Sequence, residues 1–294
     1  MTLSPETLAA LADADLDATY VEALAVSAVA EDLAGGVDVT SVATVPESLY
    51  GTAAFVPRAA GIVAGIPVAM AVLDAVGEVE FLSRSADGVA VEVGVAVLEV
   101  RGPVRTLLTA ERSALNLLCH LSGVATLTRS WADAIAGTGA HVRDTRKTTP
   151  GLRLLEKYAV RAGGGVNHRM SLSDAALVKD NHVVAAGGVA AAFDAVRRDF
   201  PDLEVEVECD TILQVWEAVG AGADLVLLDN MPLAEMRAAV DICQAAGVRT
   251  EASGGLQLDN ARAVAETGVD FLAVGALTHS APVLDLGVDL RLET

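Results

Sequence analysis

An α/β fold is predicted for this chain, with a mixed N-terminal module followed by a parallel sheet. After Gly139, short apolar runs alternate with amphipathic stretches at intervals of about 20 to 30 residues, a repeat typical of parallel strands joined by helical crossovers. Before Gly139, strand-like runs are irregular and separated by Gly and Pro. Hydrophobic residues make up 52% of the 294 positions, which supports sizeable buried cores.

The N-terminal module is predicted to combine helices with short strands. Helical apolar spacing runs over residues 16–33 and ends at Gly35-Gly36, and a second helix over 67–76 carries Pro in its first turn. A long helix begins near Arg105 and continues past Trp131, with a break expected around Ser122-Gly123. Strands are predicted over 52–57, 79–82 and 91–100.

The second part is predicted to contain six strands alternating with five helices. The strands cover residues 141–143, 175–178, 204–207, 225–228, 249–251 and 271–274. The helices cover 152–161, 189–198, 212–221, 233–246 and 258–267. Both a barrel and an open doubly wound sheet fit this repeat. No G-x-G-x-x-G follows the first strand, which disfavours dinucleotide binding.

Composition narrows the range of partners and compartments. A net charge of −20 argues against nucleic acid and against anionic membrane surfaces. The longest charge-free run, residues 59–73, is shorter than the roughly 20 residues that span a bilayer. No charged segment precedes an apolar stretch at Met1, so no signal peptide is expected. Three cysteines without C-x-x-C spacing predict a reduced, cytoplasmic protein.

Positive charge is concentrated in one stretch of this acidic chain. All three lysines lie between Lys147 and Lys179. Residues 143–179 contain eight basic residues and only three acidic ones. Arg146 and Lys147 follow the first predicted strand of the sheet, and Lys179 follows the second. Together with His168 and Arg169 they are expected to hold a multiply anionic ligand. A lysine at such a position also suits Schiff-base chemistry, which remains an alternative.

Polar residues follow the later strands as well. In a barrel these strand ends meet on one rim, where active sites lie. Glu208 and Asp229 suit Mg²⁺ or ribose hydroxyls, although salt bridges to the nearby cations would also explain them. Two glycine-containing turns suit phosphate, because glycine leaves backbone amides accessible near a helix N-terminus. These turns are Ser253-Gly254-Gly255 and Gly275-Ala276.

Several motifs resemble the quinolinate phosphoribosyltransferase family. The most specific is Asp144-Thr-Arg-Lys-Thr-Thr-Pro-Gly-Leu-Arg153, with Asn167-His-Arg169 and Val178-Lys-Asp-Asn-His182 downstream. Further matches spread the resemblance over nearly the whole chain. They are Gly61-Ile-Val-Ala-Gly65, Leu108-Thr-Ala-Glu-Arg112, Leu121-Ser-Gly123, Gly163-Gly-Gly165, Leu228-Asp-Asn230, Glu251-Ala-Ser-Gly-Gly255 and Val274-Gly-Ala-Leu-Thr-His-Ser280.

The resemblance implies an N-terminal α/β sandwich domain over residues 1–115, joined by the C-terminal tail 283–294, and an incomplete (β/α) TIM-like barrel over 116–282. It implies a phosphoribosyltransferase that converts quinolinate and phosphoribosyl pyrophosphate, with Mg²⁺, to nicotinate mononucleotide, pyrophosphate and CO₂. It also implies a homodimer in which Arg112 completes the neighbouring subunit's site; whether dimers assemble further is left open.

The resemblance carries roles onto particular residues of this chain. Lys147, Lys179, Glu208 and Asp229 match catalytic positions, and the last two also match Mg²⁺ positions. The remaining substrate-binding matches are Arg112, Thr145, Arg146, His168, Arg169, Ser253, Gly254, Gly255, Gly275 and Ala276. Two departures concern local loop geometry: Met170-Ser171 stands where a Gly is expected, and Cys119-His120 replaces a commonly Gln-Arg pair.

Three other functions compete with this interpretation. A related phosphoribosyltransferase-like protein associated with molybdenum transport would take a different substrate. A lyase barrel would use Lys179 as a Schiff base, and a catalytically silent module would only bind phosphate. The joint presence of Arg146, Lys147, Lys179, Glu208 and Asp229 favours an enzyme, because a phosphate-binding module needs no such cluster.

Overall fold

The computed structural model describes residues 3–293 and confirms the α/β class. The chain forms two compact units. The first comprises the chain as far as Leu127, the segment Leu154–Gly163 and the tail from Ala281, and the second comprises Thr128–Arg153 and Gly164–Ser280. The boundary predicted between residues 115 and 116 lies inside one helix, Val104–Ala134, and stays a prediction.

The first unit is built around a four-stranded antiparallel sheet in the order β12-β1-β5-β3, with a separate ribbon of β2 and β4. Its strands are β1 (Tyr50–Pro57), β2 (Gly61–Ile62), β3 (Glu80–Arg84), β4 (Ala90–Val91), β5 (Leu98–Pro103) and β12 (Leu286–Leu292). Its helices are α1 (Pro5–Asp13), α2 (Ala18–Leu33), α3 (Val39–Thr44), α4 (Ile66–Val76), most of α5 (Val104–Ala134) and α6 (Arg153–Ala162). The tail strand β12 pairs with β1 along its whole length.

Local chemistry explains why these helices begin where they do. Ser4, Asp17 and Asp38 accept hydrogen bonds from backbone amides in the first turns of α1, α2 and α3. Helix α4 is buried from Ile66 to Leu73, which explains its almost entirely apolar sequence. The helices predicted over 16–33 and 67–76 are thereby confirmed, whereas the short helices α1 and α3 were not predicted.

Two N-terminal predictions were wrong in detail. The strand predicted over 91–100 is two strands, because Gly94 takes a left-handed conformation with φ +84° between β4 and β5. Helix α5 continues through Ser122-Gly123 without a break. Gly123 serves close packing there, since a side chain would collide with the main chain of Pro282 and Val283.

The second unit contains six parallel strands, each within two residues of its predicted position. They are β6 (His141–Arg143), β7 (Ala176–Val178), β8 (Val205–Cys209), β9 (Leu225–Asp229), β10 (Arg249–Ser253) and β11 (Phe271–Ala273). The helices after β7 are α7 (Asp180–Ala186), α8 (Val189–Asp199), α9 (Ile212–Ala221), α10 (Leu233–Ala245), α11 (Ala261–Ala265) and α12 (Ala276–His279). Helices α7 and α12 were not predicted, because they are too short to show helical periodicity.

The strand order decides between a barrel and an open sheet. It is β6-β11-β10-β9-β8-β7, so that β6, the first strand of this unit, pairs in parallel with β11, the last strand of this unit. The first and last strands of this unit are therefore neighbours, as in a barrel. In that circular order, β6 and β7 are the only adjacent strands of the described part of the unit that share no ladder. This is an incomplete (β/α) barrel, as predicted.

Within residues 3–293, no helix combines the length and apolar character that crossing a membrane requires.

Candidate active site

A cavity of about 540 Å³ opens at the carboxyl ends of the barrel strands. Ten of the predicted site residues line it: Thr145, Arg146, Lys147, His168, Arg169, Lys179, Glu208, Asp229, Ser253 and Gly254. They come from the ends of several strands and from the segment between α6 and β7, which the parallel sheet brings to one rim. Sequence reasoning had therefore identified most of this wall.

Four predicted residues do not line this cavity. Arg112 is an exposed residue of α5 in the first unit. Gly255 follows the lining residue Gly254 in the chain, and Ala276 follows Gly275. Gly275 touches the site indirectly, since a Cβ there would lie 2.9 Å from Cδ of Lys147. The absence of a side chain at Gly275 therefore makes room for the Lys147 side chain.

The loop after β6 carries two of the cations. The backbone amide of Lys147 donates to the Thr145 hydroxyl at 3.0 Å, and the Thr278 hydroxyl donates to the Lys147 carbonyl at 2.8 Å. These bonds tie the loop to itself and to α12. Nε of Arg146 is buried and has no hydrogen-bond partner. A buried guanidinium nitrogen without a partner is costly, and a bound anion would satisfy it.

Arg169 places a second guanidinium close to Arg146. Its Nη1 donates to the carbonyl of Ala175 at 2.8 Å, which directs the side chain across the cavity wall. Burial and the positive charge of Arg146 both lower the pKa of Arg169. The two guanidinium groups therefore repel each other, and a bound anion would relieve that repulsion.

The carboxylates at the rim are paired with neighbouring polar groups. Lys179 Nζ lies 2.5 Å from Oε2 of Glu208, and the Asn230 amide donates to Asp229 at 2.6 Å. Glu208 is in register with Leu227, so Asp229 lies two residues further along the adjacent strand. The Lys179 side chain is thus engaged by a carboxylate, and this contact gives no support to the Schiff-base alternative.

The glycine turn after β10 differs from the expectation. Helix α11 begins only at Ala261, so the predicted helix start near residue 258 is wrong and no helix N-terminus follows the turn directly. Gly254 adopts φ +81° and lies against the Asn230 side chain, where a Cβ would collide. The turn thus brings main chain to the cavity wall by close packing.

Beneath the rim lies a layer of buried charge that sequence reasoning left without a role. Arg143, Glu206 and Glu251 come from β6, β8 and β10, which alternate around the sheet and therefore point into the barrel. Arg143 Nη1 lies 2.8 Å from Glu251, and His168 Nε2 lies 2.8 Å from Glu206. The alternation of Glu204, Glu206 and Glu208 was the signal for part of this layer.

The two buried glutamates have unusual titration and unmet hydrogen bonds. Burial raises the pKa of Glu206 to about 7, and burial with the negative charge of Glu206 raises the pKa of Glu251 to about 7. One oxygen of each, Oε1, has no hydrogen-bond partner. Glu204, the outer member of the alternating series, pairs with Arg249 at the surface instead, at 3.2 Å.

Two sets of side chains could bind a metal ion. Within residues 3–293, only His168, Glu206 and Glu251 bring three possible ligand atoms within 4.8 Å of one another. In this set Glu251 is already hydrogen-bonded to Arg143, so we assign these residues to the buried hydrogen-bonded layer and not to a metal ion. Glu208 and Asp229 line the open cavity and offer the oxygen ligands that Mg²⁺ prefers.

Known proteins resemble this chain throughout both units. The model of the quinolinate phosphoribosyl transferase C-terminal domain matches residues 124–289, and that of the N-terminal domain matches residues 38–122. The nicotinate-nucleotide pyrophosphorylase [carboxylating] of Mycobacterium leprae is 52% identical over 266 residues, covering 88% of this chain and 93% of that protein. A probable enzyme of the same name from Bacillus subtilis is 40% identical over 268 residues, covering 89% and 90%. The crystal structure of NadC from Streptococcus pyogenes superimposes with a TM-score of 0.91 at 37% identity, covering 95% of this chain and 99% of that one.

Proposed function

This chain belongs to the quinolinate phosphoribosyltransferase family, and from that membership we propose that it makes nicotinate mononucleotide, pyrophosphate and CO₂ from quinolinate and phosphoribosyl pyrophosphate. The reaction is a step of de novo NAD biosynthesis. The observation that carries the proposal is the cavity itself, which gathers Arg146, Lys147, Arg169 and Lys179 at one rim of an acidic protein. Two highly anionic substrates require such a concentration of positive charge.

Quinolinate is assigned to the side of the cavity that holds Arg146 and Arg169. Each guanidinium can bind a carboxylate through two parallel hydrogen bonds, and quinolinate has two carboxylates. The unpartnered Nε of Arg146 supports this assignment, because a carboxylate would satisfy it. Leu177, Leu227 and Ala273 line the same cavity and offer an apolar surface to the pyridine ring.

Phosphoribosyl pyrophosphate is assigned to the side that holds Glu208, Asp229 and the Ser253-Gly254 turn. Glu208 and Asp229 are the residues that would hold Mg²⁺, and their carboxylate oxygens fit its preference. When bound, Mg²⁺ neutralises the negative charge of the pyrophosphate. Gly255, Gly275 and Ala276 are assigned to phosphate binding with this turn.

The reaction follows from the charges around the cavity. The ring nitrogen of quinolinate attacks the anomeric carbon while pyrophosphate leaves, so the sugar passes through a cationic, oxocarbenium-like state. Glu208 and Asp229 stabilise that positive charge, while Lys147 and Lys179 stabilise the departing pyrophosphate. CO₂ then leaves the adjacent ring carbon, the alkylated nitrogen stabilises the electron pair left behind, and a proton replaces the lost carboxylate.

The assembly and location of the enzyme are also proposed. We propose a homodimer in which Arg112, exposed on α5, enters the neighbouring subunit's site and adds another guanidinium for quinolinate. Its exposure leaves it available to a second copy of the chain. We further propose that the enzyme acts in the cytoplasm, since its three cysteines are free and suit a reducing compartment.

Turnover with defined substrates tests the proposed reaction. The purified chain is incubated with quinolinate, phosphoribosyl pyrophosphate and Mg²⁺, and CO₂ and nicotinate mononucleotide are measured. Equal amounts of both products are expected, with no product when either substrate is omitted. Nicotinate, which lacks the second carboxylate, is expected to be a poor substrate. Efficient use of nicotinate by the wild type would contradict the assignment.

Subunit mixing tests the role of Arg112. Arg112→Ala and Lys147→Ala chains are each expected to be inactive alone. A mixed dimer would contain one site with both defects and one with neither, so mixing is expected to restore part of the activity. No recovery after confirmed subunit exchange would assign Arg112 to its own subunit or to a structural role.

A further inference from the structure

The hydrogen bonds of His168 determine which ring nitrogen carries its proton. The main-chain nitrogen of Arg169 lies 2.7 Å from Nδ1 of His168 and donates its hydrogen to that atom. A ring nitrogen that accepts a hydrogen bond carries no proton, so the proton of the neutral ring is on Nε2. Nε2 lies 2.8 Å from Oε2 of Glu206 and donates to it. A proton on Nδ1 would set two N–H groups against each other.

These bonds place Glu206 at the base of a short chain of contacts that ends at Arg169. The His168 ring lies between the buried carboxylate of Glu206 on β8 and the backbone amide of Arg169. The same segment is held from β6, where Asp144 accepts hydrogen bonds from the His168 backbone amide at 2.9 Å and from the Asn167 side chain at 2.5 Å. Two strands thus fix the main chain directly before the Arg169 side chain.

The contact at Nδ1 is what excludes a doubly protonated His168 ring, because that atom accepts the hydrogen of the Arg169 amide. Arg143 and Arg169 are among the cations that act on the buried Glu206 carboxylate. Glu251 Oε1 lies 3.7 Å from His168 Nε2, beyond the distance of a normal hydrogen bond, so Glu206 is the acceptor of the ring proton. The neutral ring therefore makes both hydrogen bonds, to Glu206 and to the Arg169 amide, without a second proton.

We propose that Glu206 is a positioning residue for the quinolinate side of the cavity, and that it acts through the neutral Nε2–H form of His168 to fix the backbone and guanidinium of Arg169. This inference rests on the proposed function, which assigns Arg169 to a carboxylate of quinolinate. His168 then contributes geometry to the site and adds no positive charge. This role differs from the one expected from sequence, in which His168 was grouped with the cations.

Nitrogen-15 NMR of the full-length, ligand-free protein tests the state of the ring. The chain has five histidines, and the signals of His168 are identified by their loss in His168→Gln. At pH 7 we expect Nε2 to be protonated and Nδ1 to be unprotonated. A ring protonated at both nitrogens, or at Nδ1 alone, would overturn the inference. This measurement requires no substrate, and the substitution serves only to assign the signals.

Calorimetry of quinolinate binding tests the role of Glu206. Glu206→Leu removes the acceptor for the ring, and quinolinate affinity is expected to fall about tenfold or more, as for the loss of a buried hydrogen-bonded anchor. Glu206→Gln keeps an oxygen acceptor and is expected to bind within about threefold of the wild type, because the neutral ring needs an acceptor more than a charge. Phosphoribosyl pyrophosphate affinity should change less than quinolinate affinity in both variants.

Glu204→Gln is the matched control, since Glu204 precedes the same strand but pairs with Arg249 at the surface. Quinolinate affinity in this variant should equal that of the wild type. Failure of the wild type to bind quinolinate would refute the proposed function, whatever the NMR shows. If the wild type binds quinolinate and Glu206→Leu binds it equally tightly, the positioning role is refuted and the proposed function is not.

Discussion

A half-buried carboxylate of the first unit and two buried carboxylates of the barrel differ in how completely their oxygens are hydrogen-bonded. In the first unit, Asp87 lies at the N-terminus of α4, where its Oδ2 accepts from the Gly65 amide and the Tyr158 hydroxyl, each at 2.7 Å. Its Oδ1 accepts from the Ile66 amide at 3.2 Å. Every oxygen therefore has a donor, and the positive end of the helix dipole adds to them.

Two buried carboxylates of the barrel, Glu206 and Glu251, are only partly satisfied, whereas both oxygens of the buried Asp144 accept hydrogen bonds. Glu206 and Glu251 each leave one oxygen without a partner, and Nε of Arg146 is unpartnered nearby. These three are the only buried side-chain nitrogen or oxygen atoms without a partner within residues 3–293, and all belong to the second unit. Burial raises the pKa of Asp87 as well, so burial alone does not separate the two regions. What separates them is unmet hydrogen bonding beside a cavity, and this marks the functional region.

The largest expected effect is the loss of quinolinate binding in Arg146→Ala. Removing the guanidinium leaves a desolvated carboxylate without its partner, which should weaken quinolinate binding by roughly 2 to 4 kcal/mol. Isothermal titration calorimetry measures it directly. Arg198→Ala is the control, because Arg198 lies on the exposed surface of the same unit beside Asp199. Equal affinity in the two variants would contradict the assignment of Arg146.

The second effect concerns the other side of the cavity. Glu208→Gln and Asp229→Asn keep side-chain size but remove negative charge, so turnover should fall by about 10²-fold and the Mg²⁺ requirement should rise. Quinolinate affinity should stay nearly unchanged, because anionic residues do not bind a dicarboxylate. Steady-state kinetics over a range of Mg²⁺ concentrations, with calorimetry, measures both quantities. A tenfold loss of quinolinate affinity with normal Mg²⁺ dependence would show that this side is wrongly assigned.

Asp87→Ala should affect stability and leave binding intact. It strips three donors of their acceptor in the first unit, and the free energy of unfolding should fall by about 2 to 3 kcal/mol. Chemical denaturation measures this loss. Quinolinate affinity of the folded variant should remain within about threefold of the wild type. A variant of normal stability would mean that the Asp87 hydrogen bonds are not structural.

Glu251→Gln should change how stability depends on pH. Burial raises the pKa of Glu251 from 4.5 to about 7, so the folded protein holds this proton more tightly than the unfolded chain. The resulting stability is complete below pH 4.5 and is lost as pH rises through 7. Glutamine cannot ionise, so the variant should gain about 2 to 3 kcal/mol relative to the wild type between pH 5 and pH 8. Denaturation curves of the wild type and the variant at pH 5 and pH 8 measure this gain. If the difference in stability between the two proteins is the same at both pH values, Glu251 is ionised throughout this range.

The sequence predicted the barrel and its rim well because both depend on local patterns. Apolar runs identified all six parallel strands, and polar residues at their ends identified Arg146, Lys147, Lys179, Glu208 and Asp229. Parallel strands carry such residues to the same edge whatever the details of their packing. The location of these side chains at one rim of the barrel therefore follows from the sheet topology alone.

The buried layer under the rim could not be predicted in the same way. The contact of Arg143 with Glu251 joins β6 to β10 across an intervening strand, and the contact of His168 with Glu206 joins a loop to β8. Such pairings depend on how far the sheet curls, which no local pattern records. Gly123 was misread for a related reason, since its need for a small residue comes from the distant Pro282.

Quinolinate binding to the wild type, Arg146→Ala and Asp87→Ala in one calorimetric series tests most directly whether the cavity with unmet hydrogen bonds is the functional region. We expect the wild type to bind quinolinate, Arg146→Ala to bind about thirtyfold or more weakly, and folded Asp87→Ala to bind within about threefold of the wild type. Undiminished binding by Arg146→Ala, or loss of binding by folded Asp87→Ala, would contradict the account.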